Sequence, residues 1–243
     1  MISTQTTLEV IFALSLAGFI QGLTGFGFGM AAVALLPLVL ELKDAQVVIA
    51  LLTVVVCLAA FVATRRQFRW RDGRWLILGA LLGVPVGFFV LVRFPSWLLL
   101  RALGVLLCVF SALELWQGQR VLFRIPPVLG FPVGFLSGAI GGALNVGGPP
   151  AVAYVYSQSW TKEQIISLLQ ALFGLCAVLR MGLVLNSELV RPELLRVSAL
   201  AVVPLLLATG LGSALLKRVP QQKLKKAVFT LLFLMGLKYL FWG

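Results

Sequence analysis

Two apolar segments carry glycine-rich runs: residues 8–40 contain Gly22-Leu-Thr-Gly-Phe-Gly-Phe-Gly29, and residues 126–158 contain Gly138-Ala-Ile-Gly-Gly-Ala-Leu-Asn-Val-Gly-Gly-Pro-Pro150. Each segment has 33 residues. As a straight helix it would measure about 50 Å, against a hydrocarbon core of about 30 Å. Because glycine clusters tend to break helices, each segment predicts a broken helix that is too long for one crossing and too short for two.

The composition indicates an integral membrane protein. Of 243 residues, 60% are hydrophobic and 12% are charged, whereas a soluble domain carries about 25% charged residues. This excludes a sizeable aqueous catalytic domain. The net charge of +12 falls mainly in short loops, where Lys and Arg set membrane orientation, so no nucleic-acid partner is expected.

Outside the two broken segments, the hydropathy pattern predicts membrane-spanning helices and no strands. All six tryptophans lie at or near the ends of the predicted spans, where an amphipathic ring prefers the headgroup layer. The fold class is therefore all-α. The predicted spans are residues 46–64, 75–92, 98–116, 164–185, 194–216 and 224–242.

The chain contains an internal repeat. Gly18-Phe-Ile-Gln-Gly22 aligns with Gly134-Phe-Leu-Ser-Gly138, and Arg93-Phe-Pro95 aligns with Arg218-Val-Pro220. We therefore predict two repeats within one membrane domain, residues 1–117 and 118–243, each a broken segment followed by three spans.

The distribution of basic residues bears on how the broken segments sit in the membrane. If both are re-entrant hairpins, the repeats are inverted, and 13 of the 20 Lys and Arg residues lie on one side. If both cross fully, the repeats are parallel and the split is 11 to 9. The positive-inside rule favours the hairpins, with both termini outside the cytoplasm. Full crossing stays the alternative.

The glycine clusters are the predicted substrate site. Irregular backbone at membrane depth must be buried or line a cavity, so we expect the two hairpin tips to meet near the midplane. Glycine N–H groups and helix N-termini there would bind a small anion. Nearby amide and hydroxyl groups, and the polar span residues Gln170 and Arg180, could assist. The candidate substrate-binding residues are Gln21, Thr24, Gly25, Gly27, Gly29, Ser137, Gly141, Gly142, Asn145, Gly147, Gly148, Gln170 and Arg180.

Structural roles compete with these assignments. The strict four-residue spacing of Gly79, Gly83 and Gly87 predicts close helix packing only. Packing could also explain the glycines of the tips. Arg180 could snorkel toward the surface, whereas Gln170 lies too deep to do so.

Other chemistry lacks the residues to carry it. The chain has no histidine, no nucleotide-binding P-loop, and no cysteine or carboxylate cluster for a metal, so we expect neither an enzyme nor a cofactor. All eight acidic residues lie in loops or near span ends, which argues against a carboxylate relay for protons.

The glycine motifs Gly18-x3-Gly22-x2-Gly25-x-Gly27-x-Gly29 and Gly134-x3-Gly138-x2-Gly141-Gly142, the latter followed by Pro149-Pro150, resemble the two signature stretches of the sulfite exporter TauE/SafE family. The resemblance implies a multi-pass permease of the bacterial inner membrane that exports a sulfur-containing anion such as sulfite, a sulfonate or sulfoacetate. It also implies that residues 21–29 and 137–150 form the site. Phe26 and Phe28 replace a denser glycine run, so an organic sulfonate or a carboxylate is as plausible as sulfite.

Several alternatives stay open at this point. The chain could be a membrane scaffold whose glycines serve only packing, or a permease for carboxylates. The expected partners are a small anion and membrane lipid. The sequence leaves undecided the anion, the direction of transport, the coupling ion and whether the chain forms a homo-oligomer.

Overall fold

The computed structural model describes residues 3–24, 27–68, 70–117, 125–215 and 221–242. Within these ranges the chain is helical and has no β-strand. The helices are α1 (Thr4–Thr24), α2 (Phe28–Leu35), α3 (Leu42–Thr64), α4 (Trp70–Arg93), α5 (Ser96–Gln117), α6 (Gly130–Leu144), α7 (Gly148–Tyr156), α8 (Lys162–Leu185), α9 (Pro192–Leu215) and α10 (Gln221–Trp242).

The predicted spans are confirmed as helices α3, α4, α5, α8, α9 and α10. Among the described residues, seven helices are long and apolar enough to cross a membrane, namely α1, α3, α4, α5, α8, α9 and the helical stretch Pro127–Leu144 that contains α6. The chain is therefore a multi-pass membrane protein.

Both predicted helix breaks are present. The first separates α1 from α2, and Gly27 there adopts a left-handed conformation with φ 99°. The second separates α6 from α7, and Asn145 ends α6 with φ 59°. These are the positive φ values found in the described residues. Glycine and asparagine are the residues that tolerate this conformation best, so sequence and backbone agree.

The arms of the two hairpins differ in length. Helix α6 has 15 residues, whereas α1 has 21 and measures about 31 Å. Both α1 and the stretch Pro127–Leu144 that contains α6 are long and apolar enough for a full crossing, whereas the sequence predicted half-helices. Helix α7 begins with Gly148 and carries Pro149 and Pro150 in its first turn, as expected.

The helices group into two compact units. One contains Met1–Leu52, Phe94–Gly118 and Glu188–Gly243. In it α1 packs on α9, and α10 packs on α5. Gly22 permits the first contact, because a Cβ atom there would lie closer than 3.0 Å to the carbonyl oxygen of Thr209.

The other unit contains Thr53–Arg93 and Gln119–Ser187. Here α4 packs on α6 through facing glycines, each lying against a backbone carbonyl of the other helix. The predicted packing role of the α4 glycines is confirmed. The glycines are Gly79, Gly83 and Gly87 on α4, and Gly134, Gly138 and Gly142 on α6.

The two helix pairings are equivalent under the repeat alignment. Helix α1 corresponds to α6 and α9 corresponds to α4, so α1 with α9 matches α6 with α4. Each unit therefore draws helices from both repeats. The division into repeats 1–117 and 118–243 concerns sequence equivalence and stays a prediction.

Candidate functional site

The break between α6 and α7, residues 145–147, is called the second tip below. The N–H of Asn145 donates to the carbonyl of Gly141 over 2.9 Å and closes the last turn of α6. Gly147 then passes so close to α6 that a Cβ atom there would overlap the Ser137 carbonyl. Position 147 therefore requires glycine for space.

Arg180 lies on α8 and is buried, with 2% of its surface exposed. Its Nε donates to the carbonyl oxygen of Gly142 over 3.0 Å. A cation is favoured here, because the last turn of a helix carries partial negative charge on its carbonyls. Arg180 therefore does not snorkel; its charge is held inside the protein beside the second tip.

Asn145 is held by a residue that the sequence did not assign to the site. Its Nδ2 donates to Oγ1 of Thr53, on α3, over 3.1 Å. The sequence marked Thr53 only as a polar residue within a predicted span. Its position within an apolar span was the available signal, but nothing in the sequence connected it with Asn145.

Carbonyl groups in the last turn of α6 and in the second tip accept hydrogen bonds. Gly141 accepts from the Asn145 N–H and Gly142 from Arg180. The carbonyl of Gly147 accepts from the hydroxyl of Ser137 over 2.5 Å. These three carbonyl groups are therefore engaged, and the Arg180 guanidinium lies beside the last turn of α6.

One face of α8 lies along the second tip. Gln170, Phe173 and Arg180 recur at helical spacing. Arg180 contacts Gly142, and the ring of Phe173 lies 3.9 Å from where a Cβ atom of Gly148 would be. Gln170 is buried on the same face. The structure therefore places the predicted residue Arg180 against the predicted residue Gly142, and Gln170 lies on the same face of α8.

Gly142 has a packing role as well. A Cβ atom there would overlap the carbonyl oxygen of Val84 on α4. Its carbonyl accepts from Arg180. Because it has no side chain, α4 and α6 can approach each other closely at this point.

The break between α1 and α2 is called the first tip below, and polar side chains beside it bond to the backbone of the same hairpin. Oε1 of Gln21 accepts from the N–H of Phe28 over 2.8 Å and so caps the start of α2. The Thr24 hydroxyl donates to the carbonyl of Ile20 over 2.8 Å. Gly29 lies in the first turn of α2. Gly25, also predicted to bind substrate, lies outside the described residues.

Gln21 and Ser137 occupy equivalent positions in the repeat alignment. Gln21 contacts Phe28 and Ser137 contacts Gly147, so each side chain bonds the backbone at the far side of its own break. This shared geometry assigns both a structural part in holding a hairpin together.

The described residues contain no group of three or more His, Cys, Asp or Glu side chains that could hold a metal ion. A family model described as sulfite exporter TauE/SafE matches residues 10–239. The chain belongs to the TauE/SafE family. The family that the glycine motifs indicated is thus confirmed, and the match covers nearly the whole chain. No curated protein and no solved structure matches it.

TauE/SafE proteins are transport permeases and not enzymes. Membership makes this chain a membrane transporter of the class that carries sulfur anions such as sulfite. In this TauE/SafE chain, the guanidinium of Arg180 is buried, and Gly147 and Gly148 lie at the start of α7.

Proposed function

We propose that this permease exports a small sulfur oxyanion, sulfite or an organic sulfonate, across the bacterial inner membrane, and that the second tip binds it. The observation that carries the proposal is the buried Arg180 guanidinium at the last turn of α6. The predicted contribution of the first tip stays a prediction.

Charge supports an anionic ligand. A guanidinium is protonated at neutral pH, and a buried cation raises the local potential for anions. All eight acidic residues lie in the described ranges, and none of them is buried. The first turn of α7, which begins at Gly148, adds its positive dipole end and the N–H of Gly148, since Pro149 and Pro150 have no N–H.

Helices α5 and α10 support inverted repeats. A Cβ atom on Gly104 would approach Gly236 and Leu240, and Cys108 contacts the carbonyl of Phe233 at 3.8 Å. Residue numbers rise along α5 as they fall along α10, so the two helices are antiparallel. Because they are equivalent in the alignment, we infer that the repeats have opposite orientation.

The same relation favours a hairpin over a full crossing. Between α5 and α10 the chain must reverse direction an odd number of times. A broken segment that crosses once gives four reversals, and one that turns back at the second tip gives five. Re-entry at the second tip is therefore part of the proposal.

Export needs no further energy source in this scheme. An anion leaving an inside-negative cell is driven by about 2.3 kcal/mol per charge per 100 mV. The chain has no histidine, and none of its acidic side chains is buried to form a proton relay. We therefore propose uniport.

Purified protein in liposomes tests the proposal. We expect sulfite or methanesulfonate to raise the thermal stability of the detergent-purified protein and to show counterflow in liposomes. A membrane scaffold would give a flat response to both sulfur oxyanions and carboxylates. A carboxylate permease would respond to acetate or a similar anion and not to the sulfur oxyanions.

A further inference from the structure

We infer that the anion carried at the second tip bears a single negative charge, as hydrogensulfite or an alkanesulfonate does. This inference rests on the proposed function. It excludes dianions such as sulfate and fully ionised sulfite as bound species.

The argument begins with the buried charge. Arg180 is the charged side chain that is buried in the described ranges; every other Lys, Arg, Asp or Glu whose side chain is described there is half-buried or exposed. The buried polar residues Thr53, Ser137 and Gln170, which belong to the same unit, are neutral. Among the side chains that the structure describes in the unit containing the second tip, one thus carries a buried positive charge.

Charge balance then selects among sulfur oxyanions. A monoanion neutralises the guanidinium, and two oxygens of a sulfonate match the forked geometry of guanidinium donors. A dianion in the same place would leave one negative charge in a low-dielectric interior. An unbalanced buried charge costs several kcal/mol, which the neutral hydroxyls and amides nearby do not offset.

The geometry at Gly142 leads to the same result. Because the Nε of Arg180 is fixed on a backbone carbonyl at 3.0 Å, the guanidinium is held in one orientation against α6. The loop Lys and Arg side chains that the structure describes are not buried, so they do not add to this charge in the protein interior.

A matched pair of ligands tests the inference on the wild-type full chain in liposomes. The probe is labelled ethanesulfonate, and the competitors are unlabelled ethanesulfonate and ethane-1,2-disulfonate, which share the functional group but differ by one charge. We expect the disulfonate to compete more weakly by roughly tenfold or more. Simultaneous current and tracer measurement should give one elementary charge per transported ethanesulfonate.

Sulfite supplies a second arm. As pH rises, its apparent affinity should fall in proportion to the hydrogensulfite fraction, while ethanesulfonate flux, measured as the control, stays constant. Equal competition by the two sulfonates, or sulfite affinity unchanged after its second ionisation, would overturn the single-charge inference and leave anion transport standing. Absence of flux or binding for every one of these anions would instead contradict both the proposed function and this inference.

Discussion

The Nε of Arg180 donates to the carbonyl oxygen of Gly142 over 3.0 Å and joins α8 to the last turn of α6. Gly142 in turn packs on the backbone of Val84 in α4. A buried charge is thereby fixed to the rigid contact between α4 and α6, next to the break at Asn145. At the proposed anion site, the positive charge is thus held in place before a ligand binds.

The contact between Asn145 and Thr53 should affect anion affinity. Thr53→Val keeps the side-chain shape and removes the hydroxyl that accepts from Asn145. We expect the KM for ethanesulfonate to rise about two- to tenfold, corresponding to about 0.5 to 1.5 kcal/mol for one hydrogen bond. Thr53→Ser keeps the hydroxyl, so its KM should match that of the wild type.

A double-mutant cycle pairs Thr53→Val with a substitution of Asn145. We choose Asn145→Gly rather than Asn145→Ala, because glycine tolerates the φ of 59° at this position. In the Asn145→Gly background, Thr53→Val should have little further effect on KM. Equal effects of Thr53→Val in both backgrounds would mean that Thr53 does not act through Asn145.

Gly147 and Gly148 should behave differently although they are neighbours. Gly147→Ala places a Cβ atom against the Ser137 carbonyl, so we expect a lower folded yield by size-exclusion chromatography. In Gly148→Ala the new Cβ atom would lie 3.9 Å from the Phe173 ring and meet no other atom within 4 Å. This variant should fold normally, and its added methyl group should lower anion affinity by crowding the first turn of α7. Normal transport by folded Gly148→Ala would remove that turn from the site.

The glycine contact between α4 and α6 should be sensitive to one added methyl group. In Gly138→Ala the new Cβ atom would lie closer than 3.0 Å to the backbone of Ala80. Overpacking of this kind costs about 1 to 3 kcal/mol, and each kcal/mol lowers Tm by about 2 to 4 °C in a chain of this size.

The matched control for that substitution is Gly182→Ala on α8, where an added Cβ atom meets nothing within 4 Å. Alanine is the better helix former there, so its Tm should equal or exceed that of the wild type. A loss of Tm in Gly182→Ala as large as in Gly138→Ala would show that close packing is not the cause.

Inverted repeats make a prediction about topology. A reporter fused after Gly243 should report a non-cytoplasmic C-terminus, because the basic loops 64–74 and 217–226 then lie inside. A fusion after Gln117 should report the cytoplasm and serves as the control. Cytoplasmic signals from both fusions would favour parallel repeats and full crossing by the broken segments.

The spans and both helix breaks could be predicted from sequence because they depend on local properties. Hydropathy over about 20 residues fixes a span, and Gly27 and Asn145 are residue types that accept positive φ. The spacing of Gly79, Gly83 and Gly87 likewise predicted a packing face, although it did not identify α6 as the partner.

The roles of individual polar side chains could not be predicted in this way. Gln21 and Ser137 can each donate to an anion, but in the fold they bond the backbone across their own breaks. Thr53 lies 92 residues from Asn145 in sequence. Contacts of this kind depend on how helices approach one another, which residue type and periodicity do not specify.

The length of α1 was also beyond the sequence pattern. Its 21 residues exceed the half-helix expected for a hairpin arm, because Gly18 and Gly22 lie within the helix and do not break it. The equivalent α6 ends at Leu144 after 15 residues, since Asn145 turns left-handed there.

The most direct test of anion transport at the second tip is potassium-diffusion-driven flux of labelled ethanesulfonate in proteoliposomes of the wild type and three variants. Arg180→Gln should raise KM roughly ten- to a hundredfold, as loss of a charge-assisted hydrogen bond of about 1.5 to 3 kcal/mol requires. The KM of Arg180→Lys should lie between those of the wild type and Arg180→Gln. Arg196→Gln removes an exposed charge on α9, and its KM should match that of the wild type. Wild-type flux unaffected by the imposed potential, or equal flux in folded Arg180→Gln and Arg196→Gln, would contradict the account.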